Sequence, residues 1–123
     1  MHTLPQVPLT ILCGEPLDVT VPILDATDAP VAAATLLSAR AQIRVRPDSG
    51  TVLHEWTTGG PSPNAAITTG GIRLLATAAE TQAWQDTWPT HIPLWDLVVV
   101  DTTGRPWRVL DPSRITLNPI LTR

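Results

Sequence analysis

Leu17-Asp18-Val19-Thr20-Val21-Pro22-Ile23 alternates apolar and polar residues along its whole length. Successive side chains of a strand point to opposite faces, so Leu17, Val19, Val21 and Ile23 share one face of a half-buried β-strand. Pro22 has no amide hydrogen to give a neighbour, which places this strand at a sheet edge. The same period returns in Ser38-Ala39-Arg40-Ala41-Gln42-Ile43-Arg44-Val45-Arg46. Here Ala39, Ala41, Ile43 and Val45 are predicted to face inward, and Arg40, Gln42, Arg44 and Arg46 to face outward.

Turn chemistry joins these strands to further ones. Asp25-Ala26-Thr27-Asp28-Ala29-Pro30 is a turn cluster, and Pro47-Asp48-Ser49-Gly50 is a tight turn returning Thr51–Trp56 as a partner strand. The stretch from Thr57 to Pro63 reads as a loop, and Ile67 and Ile72–Leu75 as two short strands about Gly70-Gly71. Thr77-Ala78-Ala79-Glu80 is a capping box, in which the threonine oxygen and the glutamate satisfy each other's orphan amides. It opens one short helix, about 77–86, which Pro89 forbids from running much further. Ile92–Asp101, Trp107–Leu110 and Ile115–Leu117 complete the strands, with Asp101-Thr102-Thr103-Gly104 as a hairpin loop. Seven to nine short strands with turn signals every ~8–12 residues predict an all-β, antiparallel sandwich or small barrel. The 123 residues contain no linker and no repeat, so residues 1–123 are expected to form a single domain.

Composition excludes several function classes. The net charge is −3 and all eight basic residues are arginine, which leaves no electrostatic footprint for nucleic acid or an anionic membrane. No apolar run approaches the ~18 residues of a membrane span. Cys13 stands alone, so no internal disulfide can form. Met1–Gly14 has no Arg or Lys and is broken by Pro5 and Pro8, so no secretory signal is expected; Leu9–Cys13 likewise lacks the basic segment that precedes a lipoprotein box.

No constellation of catalytic residues emerges. Ser38, Ser49, Ser62 and Ser113 lie in no nucleophile elbow. His2, His54 and His91 have no metal-ligand spacing with one another or with Cys13, and are expected to face solvent or to be hydrogen-bonded. Asp25 and Asp28 fit a turn rather than a calcium loop. Glu80 is explained by the cap rather than by a carboxylate pair with Asp86. Catalytic, cofactor-binding and metal-binding residues are therefore expected to be absent, and the chain is not expected to be an enzyme. Five tryptophans are the only Phe, Tyr or Trp residues. Trp84, Trp95 and Trp107 are expected in the core or a subunit interface. Trp56 and Trp88 each adjoin a loop and are candidates for an exposed interface or sugar-stacking platform. Arg40, Arg44 and Arg46 form either a solvated strand face or a polar contact with a neighbouring subunit.

The order of these pieces resembles the N-terminal β-sandwich domain of bacteriophage baseplate upper proteins and related tail-fibre adaptors. The matching residues are Gly14-Glu15-Pro16 leading into the strand Leu17–Leu24, Ala39–Arg44, Gly50–Leu53 ending at Trp56, Ile72-Arg73-Leu74, and Ala79-Glu80-Thr81. Trp95–Val99, the turn at Gly104, Arg108-Val109-Leu110 and the closing Leu121-Thr122-Arg123 follow in the same order. Trp95 stands where that family suggests a tyrosine, and Asp111-Pro112 where it suggests a glycine. The resemblance implies an immunoglobulin-like sandwich and a non-enzymatic virion structural protein, assembled in the host cytoplasm. Such a protein would dock tail, baseplate or fibre parts, or decorate the capsid. It implies other virion proteins and a homo-oligomer as partners, and no cofactor. The alternative is a carbohydrate-binding sandwich on a phage receptor-binding appendage.

Overall fold

A computed structural model describes residues 6–45, 51–69, 71–88, 93–110 and 112–118. Its strands are β1 Leu9–Leu12, β2 Leu17–Val21, β3 Leu36–Arg44, β4 Val52–Thr57, β5 Ala65–Thr68, β6 Gly71–Ala76, β7 Leu94–Asp101, β8 Pro106–Arg108 and β9 Ser113–Asn118, with helix α1 at Ala78–Thr87. The predicted turn at 47–50, residues Arg46, His2 and His91, and the closing residues 121–123 lie outside the described residues.

Two sheets result. The larger runs β1-β9-β7-β3-β4, with β8 also paired to β7, and the smaller runs β2-β6-β5. The alternating segment is β2, and it is an edge strand that stops at Val21, immediately before Pro22. Every pairing is antiparallel except that of β1 with β9, where Leu9–Leu12 runs parallel to Ile115–Asn118. β8 and β9 are two halves of one last strand: β8 pairs with Val98–Val100 and β9 with Leu94–Trp95. Between them the alternation breaks, so that the consecutive residues Val109 and Leu110 are both buried.

This strand order is that of an immunoglobulin-like sandwich. In that fold the first, second, fourth and fifth strands make one sheet and the third, sixth and seventh the other, which gains two further strands in variable-type domains. Here β2, β5 and β6 make the first sheet, and β3, β7 and the split β8/β9 the second, extended by β4 and β1. The inter-sheet disulfide of antibody domains is missing. Cys13, the only cysteine, precedes β2, so no disulfide joins the sheets, and α1 occupies the corner between β6 and β7.

One core lies between the sheets. Leu17, Val21, Ile72 and Leu74 come from the small sheet, and Ala39, Ala41, Ile43, Trp56, Trp95, Leu97 and Val99 from the large one. Trp56 sits across from Ala41, and the small residue leaves room for the indole. Each buried indole removes about 150–250 Å² from water, about 4–6 kcal/mol of transfer free energy. Both deep indoles are also satisfied: Trp56 Nε1 donates to Leu75 O at 3.0 Å and Trp95 Nε1 to Val7 O at 2.8 Å. The helix begins as predicted, with Glu80 N donating to Thr77 Oγ1 at 3.1 Å and Thr77 N to Glu80 Oε1 at 3.0 Å. Buried Thr81 ties it to the β1–β2 turn, accepting from Gly14 N at 3.0 Å and donating to Glu15 O at 2.8 Å.

Two turns are built by the same five-residue device. In Asp25–Ala29, Asp25 Oδ1 accepts from Thr27 N at 2.8 Å and Ala29 N at 3.1 Å; in Asp101–Arg105, Asp101 Oδ1 accepts from Thr103 N at 2.9 Å and Arg105 N at 3.0 Å. The fourth residue of each has positive φ, 62° at Asp28 and 86° at Gly104. A short side chain that bonds its own backbone, followed by a residue tolerating the left-handed region, makes the chain reverse in so few residues.

Candidate functional site

An antiparallel sheet with one wet face should alternate apolar-in and polar-out. β7 breaks that rule. Trp95, Leu97 and Val99 are buried inward, yet the outward set is Leu94, Asp96, Val98 and Val100, three of the four apolar and all only half-buried. The register builds a grid around them. Arg40, Val98 and Arg108 form one row across β3, β7 and β8; Glu55, Gln42 and Asp96 form the next; Arg44, Leu94 and Arg114 form the third. Within it, Arg44 Nη2 donates to Gln42 Oε1 at 2.6 Å, and Gln42 Nε2 to Glu55 Oε2 at 2.7 Å. Beyond the first row lies an open hollow of about 480 Å³ lined by Ser38, Arg40, Thr57, Val98, Val100 and Pro106. Among the described residues these three rows carry four arginines and two carboxylates. An apolar floor with an arginine rim is the composition of a docking surface.

Of the predicted interface residues, Arg40 and Arg44 are brought together here, Arg40 exposed and Arg44 half-buried. Arg46 lies outside the described residues. Trp56 is a correction: it is 0% exposed, because Glu55 takes the outward position on β4 and the next residue must point inward. Trp88 is half-buried at the end of α1, stacked on Trp84 with centroids 4.9 Å apart. Trp84 and Trp95 are core as expected, whereas Trp107 is only half-buried. Its short strand is attached to β7 alone, so the ring packs at the sheet margin. There its Nε1 donates to Asp101 Oδ2 at 2.9 Å, and the Arg105 guanidinium lies 4.0 Å from the ring centroid. Val98 and Val100 escape a reading by alternation, though the unbroken run Leu97–Val100 was the signal.

His54 also differs from expectation. It points inward beside Trp56, with ring centroids 4.8 Å from Trp56 and 4.7 Å from Trp84, and its Nε2 is buried without a hydrogen-bond partner. Burial holds its pKa below the usual value, against the opposing pull of Glu80 and Glu55. Asp101 is held well below the carboxylate range by the hydrogen bonds of Thr103 and Trp107. Burial, with Asp86 nearby, pushes the Cys13 thiol up, away from the reactive thiolate. Among the described residues no three His, Cys, Asp or Glu side chains are grouped to hold a metal ion, and no helix is long and apolar enough to cross a membrane.

Asn64 holds a position no sequence pattern announced. Thr57 N donates to its Oδ1 at 2.8 Å, and its Nδ2 donates to Glu55 O at 3.0 Å, so the carboxamide pairs with the outer edge of β4 as a further strand would. Its own backbone bonds Thr57 O at 3.2 Å and Leu75 N at 3.0 Å, joining the large sheet to β6.

No family model and no curated protein matches the chain. Among solved structures it is similar to the first Ig-like domain of human CD48 antigen, in a solution structure. The identity is 10%, the coverage 100% of this chain and 90% of that one, and the TM-score 0.42.

Proposed function

We propose that this chain is a non-enzymatic structural protein of a tailed-bacteriophage virion, and that it docks other virion components through the outer face of its large sheet. The order of motifs from Gly14 to Leu110 supports the phage assignment. The observation that carries the docking role is the outward pair Val98 and Val100, which line an open hollow together with Arg40. Half-buried valines facing water are costly unless another surface covers them, and arginine suits polar contacts at the rim. A sugar platform on Trp56 or Trp88 is less well supported, because Trp56 is buried and Trp88 is half-buried with its ring stacked on Trp84. The test is particle incorporation. Val98→Glu points outward, so the variant should fold and yet be depleted at least tenfold from purified particles. Normal incorporation of a folded Val98→Glu chain would refute docking through this face.

A further inference from the structure

Among the described residues β2 pairs with β6 along one edge and with no strand along the other, where β1 and β2 line an open hollow of about 190 Å³. The outer edge of β4 is capped by the Asn64 carboxamide, and β2 has no such cap. An exposed edge is a template for another strand unless something guards it. Here the guards are Pro16 and Pro22, and they stand outside the strand, one on each side, three residues from Val19. The segment Pro16-Leu17-Asp18-Val19-Thr20-Val21-Pro22 therefore has the same pattern in both directions: proline, apolar, polar, valine, polar, apolar, proline. We propose that β2 pairs with β2 of a second copy of this chain, antiparallel about a two-fold axis at Val19, so that the two three-stranded sheets become one continuous sheet.

The side chains select this register. A two-fold at Val19 sets Leu17 opposite Val21 of the second copy on the inward face and Asp18 opposite Thr20 on the outward face. The two prolines, which have no amide hydrogen to donate, then lie opposite each other beyond the ends of the ladder. Leu17 and Val21 are buried already, whereas Val19 between them is only half-buried, and its own copy would cover the remainder. Asp18 is held by Arg73 of its own copy through two hydrogen bonds at 2.8 and 2.6 Å, so the pairing calls for no new cation. Moving the axis by one residue spoils the match. At Asp18 it opposes two carboxylates, and at Thr20 it draws Pro22 into the ladder opposite Asp18. The contact is isologous and closes at two copies. A strand of five residues is about 17 Å long, so the interface is small and the dimer forms at high protein concentration. It involves the small sheet alone, and is independent of docking through the outer face of the large one.

The experiment is sedimentation velocity on the full chain, with amide hydrogen exchange read along the sequence over the same concentrations. The unsubstituted chain should pass from monomer to dimer as its concentration rises to ~1 mM. Exchange of the β2 amides should slow over that range, while that of β5, at the other end of the small sheet, and of β7, in the large sheet, should not. Thr20→Glu tests the register. Thr20 is exposed and lies opposite Arg73 on β6, so the variant should fold, as checked by circular dichroism and thermal melting. In the dimer each new carboxylate opposes Asp18 of the other copy, so association should weaken about tenfold at low salt and recover in part at high salt. The exchange measurement needs no variant and decides even if Thr20→Glu fails to fold. A chain that stays monomeric at ~1 mM, a dimer whose β2 amides exchange as fast as the monomer's, or a folded Thr20→Glu chain that dimerises undiminished would overturn the pairing.

Discussion

Replacing Asn64 by alanine should cost far more than an exposed loop substitution ordinarily does. Its side chain makes two hydrogen bonds, at 2.8 Å from Thr57 N and 3.0 Å to Glu55 O. Each is worth about 0.5–1.5 kcal/mol net, giving a loss of about 1–3 kcal/mol. A 123-residue domain should lose about 4 °C in Tm per kcal/mol, so the variant should melt about 4–12 °C lower. Asn64→Asp sharpens the test. It keeps the acceptor for Thr57 N but places an acceptor against the carbonyl of Glu55, so at neutral pH it should be no more stable than the alanine variant. Protonating that aspartate restores a donor, and the gap between the aspartate variant and the unsubstituted chain should narrow as pH falls below ~4. Asn118→Ala is the control: that side chain is exposed, and only its backbone carbonyl holds Cys13 N. Thermal and urea melts on the four proteins decide. If Asn64→Ala lies within ~0.5 kcal/mol of the unsubstituted chain, as neutral surface changes do, the edge-pairing role is wrong.

Trp95→Ala should lose about 3–5 kcal/mol and Trp107→Ala distinctly less, since only the first is fully buried; urea denaturation that ranked them in reverse would contradict the burial pattern. Gly104→Ala should cost about 1–2 kcal/mol, because its φ is 86° and nothing lies within 4 Å of an added Cβ. Gly71→Ala should be much worse, because the Cβ would fall 2.0 Å from Val21 O and force β2 from β6; equal melting temperatures for the two would refute this. His54 is buried with its pKa lowered, so the unfolded chain binds more protons as pH drops below ~6.5 and folding stability should fall in that direction. His54→Gln should flatten that slope between pH 7 and 5, as read by urea denaturation. Below the ordinary carboxylate range Asp101 adds a second loss, since its bonded carboxylate must then be protonated.

Alternation was legible wherever one face meets the core and the other meets water. Leu17–Val21 and Ala39–Ile43 are of that kind, and the cap at Thr77 announced α1 to within a residue. Alternation says nothing about which strand lies beside which, so the position of Trp56 opposite Ala41 was hidden. Its inward direction, by contrast, could have been read from polar Glu55 before it. Leu9–Leu12 is too short to stand out, and becomes a strand only because β9 offers it an edge. The docking face was half visible. Arg40 and Arg44 were found on β3, but Arg108 and Arg114 join them only through register across β7. Asn64 was invisible because a carboxamide that imitates a peptide group leaves no periodic trace.

The parallel pairing of β1 with β9 has a consequence for how the protein is made. Leu9 must wait for Ile115, so β1 leaves the ribosome before the other eight strands described yet is among the last to find its place. Closing so long a loop is entropically expensive before any contact rewards it, and such topologies fold in milliseconds to seconds rather than microseconds. Until β9 is synthesised and free, the apolar side chains of Leu9 and Ile11 are exposed on a nascent chain. That interval is when a chaperone, or an early assembly partner, would have its opportunity to bind.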